Sequence, residues 1–158
     1  MVEHYRGKVQ PAWVDHNRHM NLACYVLACD LATDFFHSFG VDQNYRNSTN
    51  FSMFAGNIQV YYKSELQLDE EFNVSCSLLG FDNKRIWHMN QMFRTTDVVE
   101  VAVLESLQLH VDLNDRRVYD MPGSLVARLE MLQSEQGFFE IAKEIGQAIT
   151  KPPVYNAS

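Results

Sequence analysis

Hydrophobic positions along this chain follow two rhythms. Between residues 51 and 112 they alternate in twos, as in Phe72, Val74, Cys76 and Leu78 set against Asn73, Ser75 and Ser77, the pattern of an extended strand with two different faces. Breaks at Gln67-Leu68-Asp69, Asp82-Asn83 and Thr96-Asp97 divide this region into four strands, about 51–65, 71–81, 85–95 and 98–112. Short connections predict that these are successive antiparallel neighbours. Before them, residues 22–39 carry Leu22, Tyr25, Val26, Leu27, Leu31, Phe35, Phe36 and Phe39 around most of a helical circumference, leaving a polar stripe of Asp30, Asp34 and His37. The spacing predicts one long helix buried on nearly all sides, with Asn21 as its N-cap and Gly40 as its left-handed terminator.

A short strand at Tyr5–Val9 precedes this helix, and Pro11 argues against helix in the segment that follows it. After Met121-Pro122-Gly123-Ser124 the helical spacing returns, with Leu125, Leu129 and Leu132 on one face and Phe138, Ile141, Ala142 and Ile145 on another, ending at Lys151-Pro152-Pro153. The expected fold is therefore α+β: an antiparallel sheet around one buried helix, with a C-terminal helical extension at about residues 122–150. A chain of 158 residues suits one domain. A single sheet on one apolar helix leaves an edge strand and an apolar seam, so a homodimer or a dimer of dimers is expected.

Charge narrows the partners. Thirteen basic against 20 acidic residues give a net charge of −7, which disfavours nucleic acid. No apolar run reaches the ~20 residues of a membrane span. The first residues lack a basic segment followed by an apolar stretch, so a cytoplasmic location is the expectation. Cys24, Cys29 and Cys76 show no CxxC spacing, and they read as small core residues rather than as a disulfide framework or a zinc site.

The densest polar cluster is Trp13-Val14-Asp15-His16-Asn17-Arg18-His19-Met20-Asn21, a loop that feeds straight into the apolar helix. A helix N-terminus exposes unpaired N–H groups and the positive end of the helix dipole, so the amides of Leu22 and Ala23 are suited to stabilising an oxyanion. Asp15 in such a loop is either a turn-capping residue or a carboxylate available as nucleophile or general base. His16 and His19 with Asp15 are chemically suitable metal ligands, but HxxH spacing on a loop fixes no geometry, and no metal and no cofactor are expected. GxSxG, GxGxxG and GxxxxGK[ST] are all absent, which removes support for a serine esterase, a dinucleotide site and a nucleoside-triphosphate site.

At this loop the sequence resembles the hotdog-fold acyl-CoA thioesterases of the 4-hydroxybenzoyl-CoA thioesterase type, with Asp15, a short loop and Tyr25 one turn into the helix. The stretch Trp13-Val14-Asp15-His16-Asn17-Arg18-His19 is most similar to the betainyl-CoA thioesterase branch. So are Leu78-Leu79-Gly80-Phe81-Asp82-Asn83-Lys84-Arg85 and Glu105-Ser106-Leu107-Gln108-Leu109-His110-Val111-Asp112. The likeness runs from about Val9 to Leu132. Arg18 stands where a glycine is usual, and Asn57 and Gln59 stand where relatives often carry an acidic residue and a histidine.

The resemblance implies a hotdog fold, an acyl-CoA substrate, Asp15 as the catalytic carboxylate and the Leu22 N–H as oxyanion donor, with His19 or Asn21 holding water or the carbonyl. Asn17, Arg18 and Tyr25 are expected around the substrate. Lys84 and Arg85 are expected near the coenzyme A phosphates, with Arg94, Arg116 and Arg117 as rivals. Glu105 shares strand parity with Val101, Val103, Leu107 and Leu109, so either a bulge turns it outward or it meets a polar partner near the helix. Trp13, Trp87, Tyr61 and Tyr62 are candidates for an aromatic wall, which a trimethylammonium acyl group would favour. A non-catalytic acyl-CoA binding protein and an enoyl-CoA hydratase of the same fold are the competing readings.

Overall fold

The computed structural model describes residues 3–33 and 40–149. In chain order it contains β1 (Glu3–Lys8), a 3-10 turn (Pro11–Trp13), α1 (Leu22–Ala32), α2 (Gln43–Thr49), β2 (Phe51–Tyr62), β3 (Glu71–Phe81), β4 (Arg85–Arg94), β5 (Glu100–Asp112) and α3 (Gly123–Glu135). The strands form one sheet in the order β1-β3-β4-β5-β2, and the fold is the expected α+β hotdog. The β2–β3 adjacency expected from the short connection is not made, because β2 pairs with β5 at the sheet edge. The connecting residues are occupied elsewhere: Leu66 is fully buried and its carbonyl accepts the Met20 N–H at 2.7 Å.

The chain divides into two units. The first comprises residues 3–33, 60–76 and 89–104 of the described chain. Its core joins Tyr25, Ala28, Cys29 and Ala32 of α1 to Phe72 and Val74 of β3, Met92 of β4, and Val101, Ala102 and Leu104 of β5, with Val9, Met20 and Leu66 from loops. Those four helical positions recur at intervals of three and four, which puts them on one stripe. The helix is thus amphipathic in burial although not in composition: Leu22, Leu27 and Leu31 are exposed. The expectation of burial on nearly all sides fails because only one face of α1 meets the sheet. The helix also ends at Ala32, where Thr33 bonds back to Cys29 O through both its N–H and its hydroxyl. Asp34 to Phe39 of the longer predicted helix lie outside the described residues. Burial pushes the Cys29 thiol up to about 12 and the Cys76 thiol higher still, as expected of inert core cysteines.

Gly7 of β1 lies opposite Phe72, and a β-carbon built on it would come within 2.5 Å of the Phe72 ring. Phe72 is fully buried and packs against Tyr5 and Trp13, and a close-packed interior gives such a ring little room to move aside. Gly7→Ala is expected to destabilise the fold by about 1–3 kcal/mol, the usual cost of overpacking a core. Urea denaturation checks this, and a midpoint equal to that of the parent protein would contradict it.

The second unit comprises residues 40–59, 77–88 and 105–149 of the described chain. Leu125 and Leu129 bury one face of α3. The helical expectation for the chain's end holds only as far as Glu135, and residues 137–149 run through turns and bends with Phe138 almost fully exposed. Gly137 takes a left-handed φ of 71°, which lets the chain leave the helix there. Just before it, the Gln136 side chain accepts the Leu78 N–H at 3.0 Å and donates to the Leu78 carbonyl at 2.8 Å. Among the described residues β1 pairs with β3 as far as Ser75, and farther along this amide serves both backbone groups of Leu78 as a neighbouring strand would. Helix α2, absent from the hydrophobic pattern because it buries no residue, is set by its ends: Asp42 caps the Tyr45 N–H, and Asn50 leaves it at a φ of 61°.

In the same unit His110 is fully buried, stacks on Phe51, and is held by two hydrogen bonds that define its tautomer. The Tyr119 carbonyl only accepts, so Nδ1 carries the proton, and Tyr45 donates its hydroxyl to Nε2 at 2.8 Å. Burial holds the imidazole below its ordinary 6.5, against the opposing pull of the Tyr119 carbonyl and the Asp120 charge. Since the folded-state value lies below the unfolded one, this stabilisation is complete above about pH 6.5 and is lost as pH falls through the folded value. The melting temperature is expected to fall between about pH 7 and 5, and less steeply in His110→Gln. Equal slopes would remove His110 as the cause.

Candidate active site

The polar loop is a tight turn closed on itself. Its base is the antiparallel bridge between Val14 and Met20, and inside it the Asp15 N–H donates to the His19 carbonyl at 3.1 Å. The Arg18 N–H returns to the Asp15 carbonyl at 3.0 Å, and this reversal requires Arg18 to take a φ of 69°. That left-handed backbone is the physical reason a glycine suits the position. The Arg18 side chain and Asn17 are exposed, and one Asp15 carboxylate oxygen accepts the Asn17 N–H at 2.8 Å.

The turn delivers the chain to the first residue of α1. Asn21 is held by its N–H on the Trp13 carbonyl, and its side-chain oxygen accepts the Ala23 N–H at 2.9 Å, the expected N-cap. This corrects the expectation that Ala23 serves an oxyanion: its N–H is already taken. The Cys24 N–H is taken by the Asn21 carbonyl. Among the described residues the Leu22 N–H has no hydrogen-bond partner, so Leu22 alone of the first three amides is available to a ligand.

A cavity of about 310 Å³ opens at this helix end, lined by His19, Met20, Leu22, Tyr25, Tyr62, Lys63, Ser64 and Glu65. His19 directs Nδ1 at the Met20 carbonyl at 3.1 Å, which leaves Nε2 as a free acceptor in the neutral ring. Tyr25 is nearly fully buried and its hydroxyl is committed, accepting the Leu66 N–H at 2.9 Å and donating toward the Ser64 carbonyl. It packs edge-on against Tyr62 with ring centroids 5.3 Å apart. Tyr62 donates its own hydroxyl to the Leu22 carbonyl at 3.0 Å, tying the end of β2 to the first turn of α1. Burial raises both phenols above their ordinary value, so both remain donors at neutral pH. The Lys63 ammonium is paired with Glu100, whose other oxygen accepts from Gln91 at 2.8 Å.

The structure thus brings His19, Leu22 and Tyr25 to one cavity and places Asp15, Asn17, Arg18 and Asn21 in the adjoining turn. Tyr62 lines the cavity as one of the four candidates for an aromatic wall, whereas Lys63, Ser64 and Glu65 are lining residues that the residue pattern did not mark. Lys84, Arg85 and Glu105 belong to the other unit. There Lys84 and Arg85 line a separate cavity of about 560 Å³ with Phe81, Asp82, Asn83, Leu109, Val118 and Asp120. Arg85 grips the Asp82 carboxylate through Nε at 2.8 Å and Nη2 at 2.5 Å. Burial would raise the Asp82 carboxyl, but Arg85 and the Lys84 and Arg85 N–H groups outweigh it and hold the carboxyl below its ordinary value. A phosphate would have to displace that pair, whereas Lys84, 3.6 Å from an exposed Asp120, is easily redirected.

Glu105 is fully buried, so no bulge turns it outward. It meets polar partners instead: the Trp87 indole N–H donates to Oε1 at 2.7 Å and the Gly146 N–H donates to the same oxygen at 3.0 Å. Asn57 is exposed on β2 and Gln59 partly so. No helix among the described residues is long and apolar enough to cross a membrane.

A free helix-terminal amide beside a cavity, an imidazole acceptor and a nearby carboxylate make up the equipment of an acyl-transfer site. A family model described as "Thioesterase-like superfamily" matches residues 9–129. The chain is 29% identical to the betainyl-CoA thioesterase of Pseudomonas aeruginosa, covering 95% of each. A Staphylococcus aureus protein solved in complex with CoA superposes with a TM-score of 0.84 at 22% identity, over 96% of both chains. A putative thioesterase from Pseudomonas putida superposes with a TM-score of 0.79 at 29% identity, over 96% of this chain and 97% of that one. The chain belongs to the thioesterase-like superfamily, and hydrolysis of an acyl-CoA thioester is its class of reaction.

Proposed function

We propose that Asp15 is the catalytic carboxylate, acting as nucleophile or general base, and that the Leu22 N–H receives the oxyanion. The observation that carries this reading is the unpartnered Leu22 amide on the wall of a cavity that also holds the free Nε2 acceptor of His19. As a general base, Asp15 takes a proton from the water that adds to the thioester carbonyl, and the tetrahedral intermediate expels the thiolate, which ends protonated. As a nucleophile, Asp15 itself adds to that carbonyl and expels the thiolate to leave a mixed anhydride, which water cleaves to the free acid and the regenerated Asp15 carboxylate, the released proton going to the thiolate. Charge develops on the carbonyl oxygen, where a fixed donor is typically worth about 2.7–4 kcal/mol. A thiol with a pKa of about 8.5 leaves without strong general-acid help. His19 orients the water.

For the acyl group, the likeness to the Pseudomonas aeruginosa enzyme over 95% of the chain favours betainyl-CoA, whose trimethylammonium suits a cavity walled by tyrosine. The working form is proposed to be a homodimer or a dimer of dimers, since Leu27 and Leu31 are left half-exposed on α1 and β2 is a long sheet edge. Static light scattering that reports only an 18.3 kDa species at micromolar concentration would refute that form.

A second reading has one observation in its favour. The Asp15 bond to the Asn17 N–H is a sufficient structural role for an aspartate in a turn, as in a non-catalytic acyl-CoA binding protein. Thiol release from short, aromatic, hydroxylated and betainyl thioesters separates the two. Turnover with betainyl-CoA ahead of the others is expected, and binding without thiol release from any of them would establish the second reading.

A further inference from the structure

Four aromatic residues were candidates for recognising the acyl group, and the structure gives them different surroundings. Trp13 packs against Phe72 in the core, with ring centroids 6.2 Å apart. Trp87 is 4% exposed and spends its indole N–H on Glu105. Tyr61 precedes Tyr62 on a strand, so its side chain points to the opposite face. Tyr62 alone of the four lines the cavity beside the Leu22 amide, and it is 49% exposed even though its hydroxyl is fixed. Its ring is held at two points, by the hydroxyl on the Leu22 carbonyl and by the edge contact with Tyr25. That leaves an aromatic surface presented at a constant angle to whatever binds the helix end.

The charges around it favour a cation. Lys63, the one Lys or Arg side chain lining the cavity, is neutralised by Glu100, which is in turn bonded to Gln91. Glu65 lines the same cavity and is exposed. An aromatic face flanked by a carboxylate attracts a quaternary ammonium, while a neutral group of equal size gains only contact.

We propose that Tyr62 is the specificity-determining residue of this site: its ring receives the quaternary ammonium of the acyl group, and its hydroxyl positions the first turn of α1 that carries the Leu22 N–H. This rests on the reading of the cavity as the acyl-transfer site. The two halves of the proposal separate by substitution. Tyr62→Phe keeps the ring and removes the tether, so kcat falls on all acyl groups while the preference among them is kept. Tyr62→Leu removes the ring, so the preference itself is lost.

The experiment compares betainyl-CoA with 3,3-dimethylbutanoyl-CoA, in which a carbon replaces the nitrogen and nothing else changes. The readout is the ratio of the two kcat/KM values, which general damage to the fold does not move. The parent enzyme is expected to prefer the cation, Tyr62→Phe to keep that preference, and Tyr62→Leu to reduce it about tenfold. A parent preference that survives intact in Tyr62→Leu overturns the role of Tyr62 and leaves the site standing. A parent enzyme that does not distinguish the two substrates overturns the cationic acyl group and Tyr62 together. Loss of preference already in Tyr62→Phe overturns the division between ring and hydroxyl.

Discussion

Asp15→Asn is expected to lower turnover by at least ~10²-fold while leaving the melting temperature within a degree or so of the parent value. The substitution keeps the size of the side chain and an oxygen that can still accept the Asn17 N–H. The turn is closed mainly by backbone bonds, from the Asp15 N–H to His19 and from the Arg18 N–H to Asp15, and these do not change. What is removed is the negative charge and the nucleophilic oxygen. If Asp15 only holds the turn, Asn holds it equally well, because Asn serves such positions as readily as Asp. Turnover and melting temperature measured on the same preparation therefore decide the matter. A stable, inactive variant supports catalysis, and a stable, fully active one removes Asp15 from the mechanism. Trapping an acyl group on Asp15 with a slow substrate then distinguishes nucleophile from base.

The legible parts of the fold were those governed by local chemistry. The β3 boundaries, residues 71–81, follow from the alternation that runs through Phe72, Val74, Cys76 and Leu78 and from the Asp82-Asn83 turn, where the Asp82 carboxylate accepts the Lys84 and Arg85 N–H groups. Asn21 is read as an N-cap because its side chain competes for an amide only two residues away. The resemblance carried the hotdog fold and the reaction class, while the geometry at Leu22 came from the structure.

The illegible parts depend on residues distant in sequence. Nothing local distinguishes Leu31 from Cys29 as the exposed residue, since only the position of the sheet decides which face of α1 is covered. The placement of β2 beside β5 is likewise a choice between two edges that the length of one connection does not settle. Ser64 and Glu65 reach the cavity because Leu66 is anchored by Met20 and Tyr25, two contacts made across more than 40 residues of chain. The hydrophobic pattern also promised a second C-terminal helix face through Phe138, Ile141, Ala142 and Ile145. Gly137 at positive φ ends the helix before that face begins.

Glu105→Ala is expected to destabilise the fold by about 3–5 kcal/mol, whereas Glu105→Gln is expected to cost little or to stabilise it slightly. Parity along β5 already made this carboxylate an anomaly among apolar neighbours. The structure accounts for it as the shared acceptor of two donors, the Trp87 indole N–H and the Gly146 N–H, both meeting Oε1. Truncation to Ala removes the acceptor that both donors share at a site the side chain fills completely, and it adds a cavity on top of that loss. Gln retains an oxygen for both donors. It also removes a charge from a place where Oε2 has no partner among the described residues, an arrangement in which an ionised carboxylate is costly. The Gly146 bond further joins this strand to the non-helical segment 137–149, so loss of the acceptor is expected to loosen that segment first. Hydrogen exchange at Gly146, measured beside urea denaturation, tests the account. An Ala variant as stable as the parent, with Gly146 still protected, would mean that Glu105 anchors nothing, and a Gln variant as damaged as Ala would show that the charge itself is required.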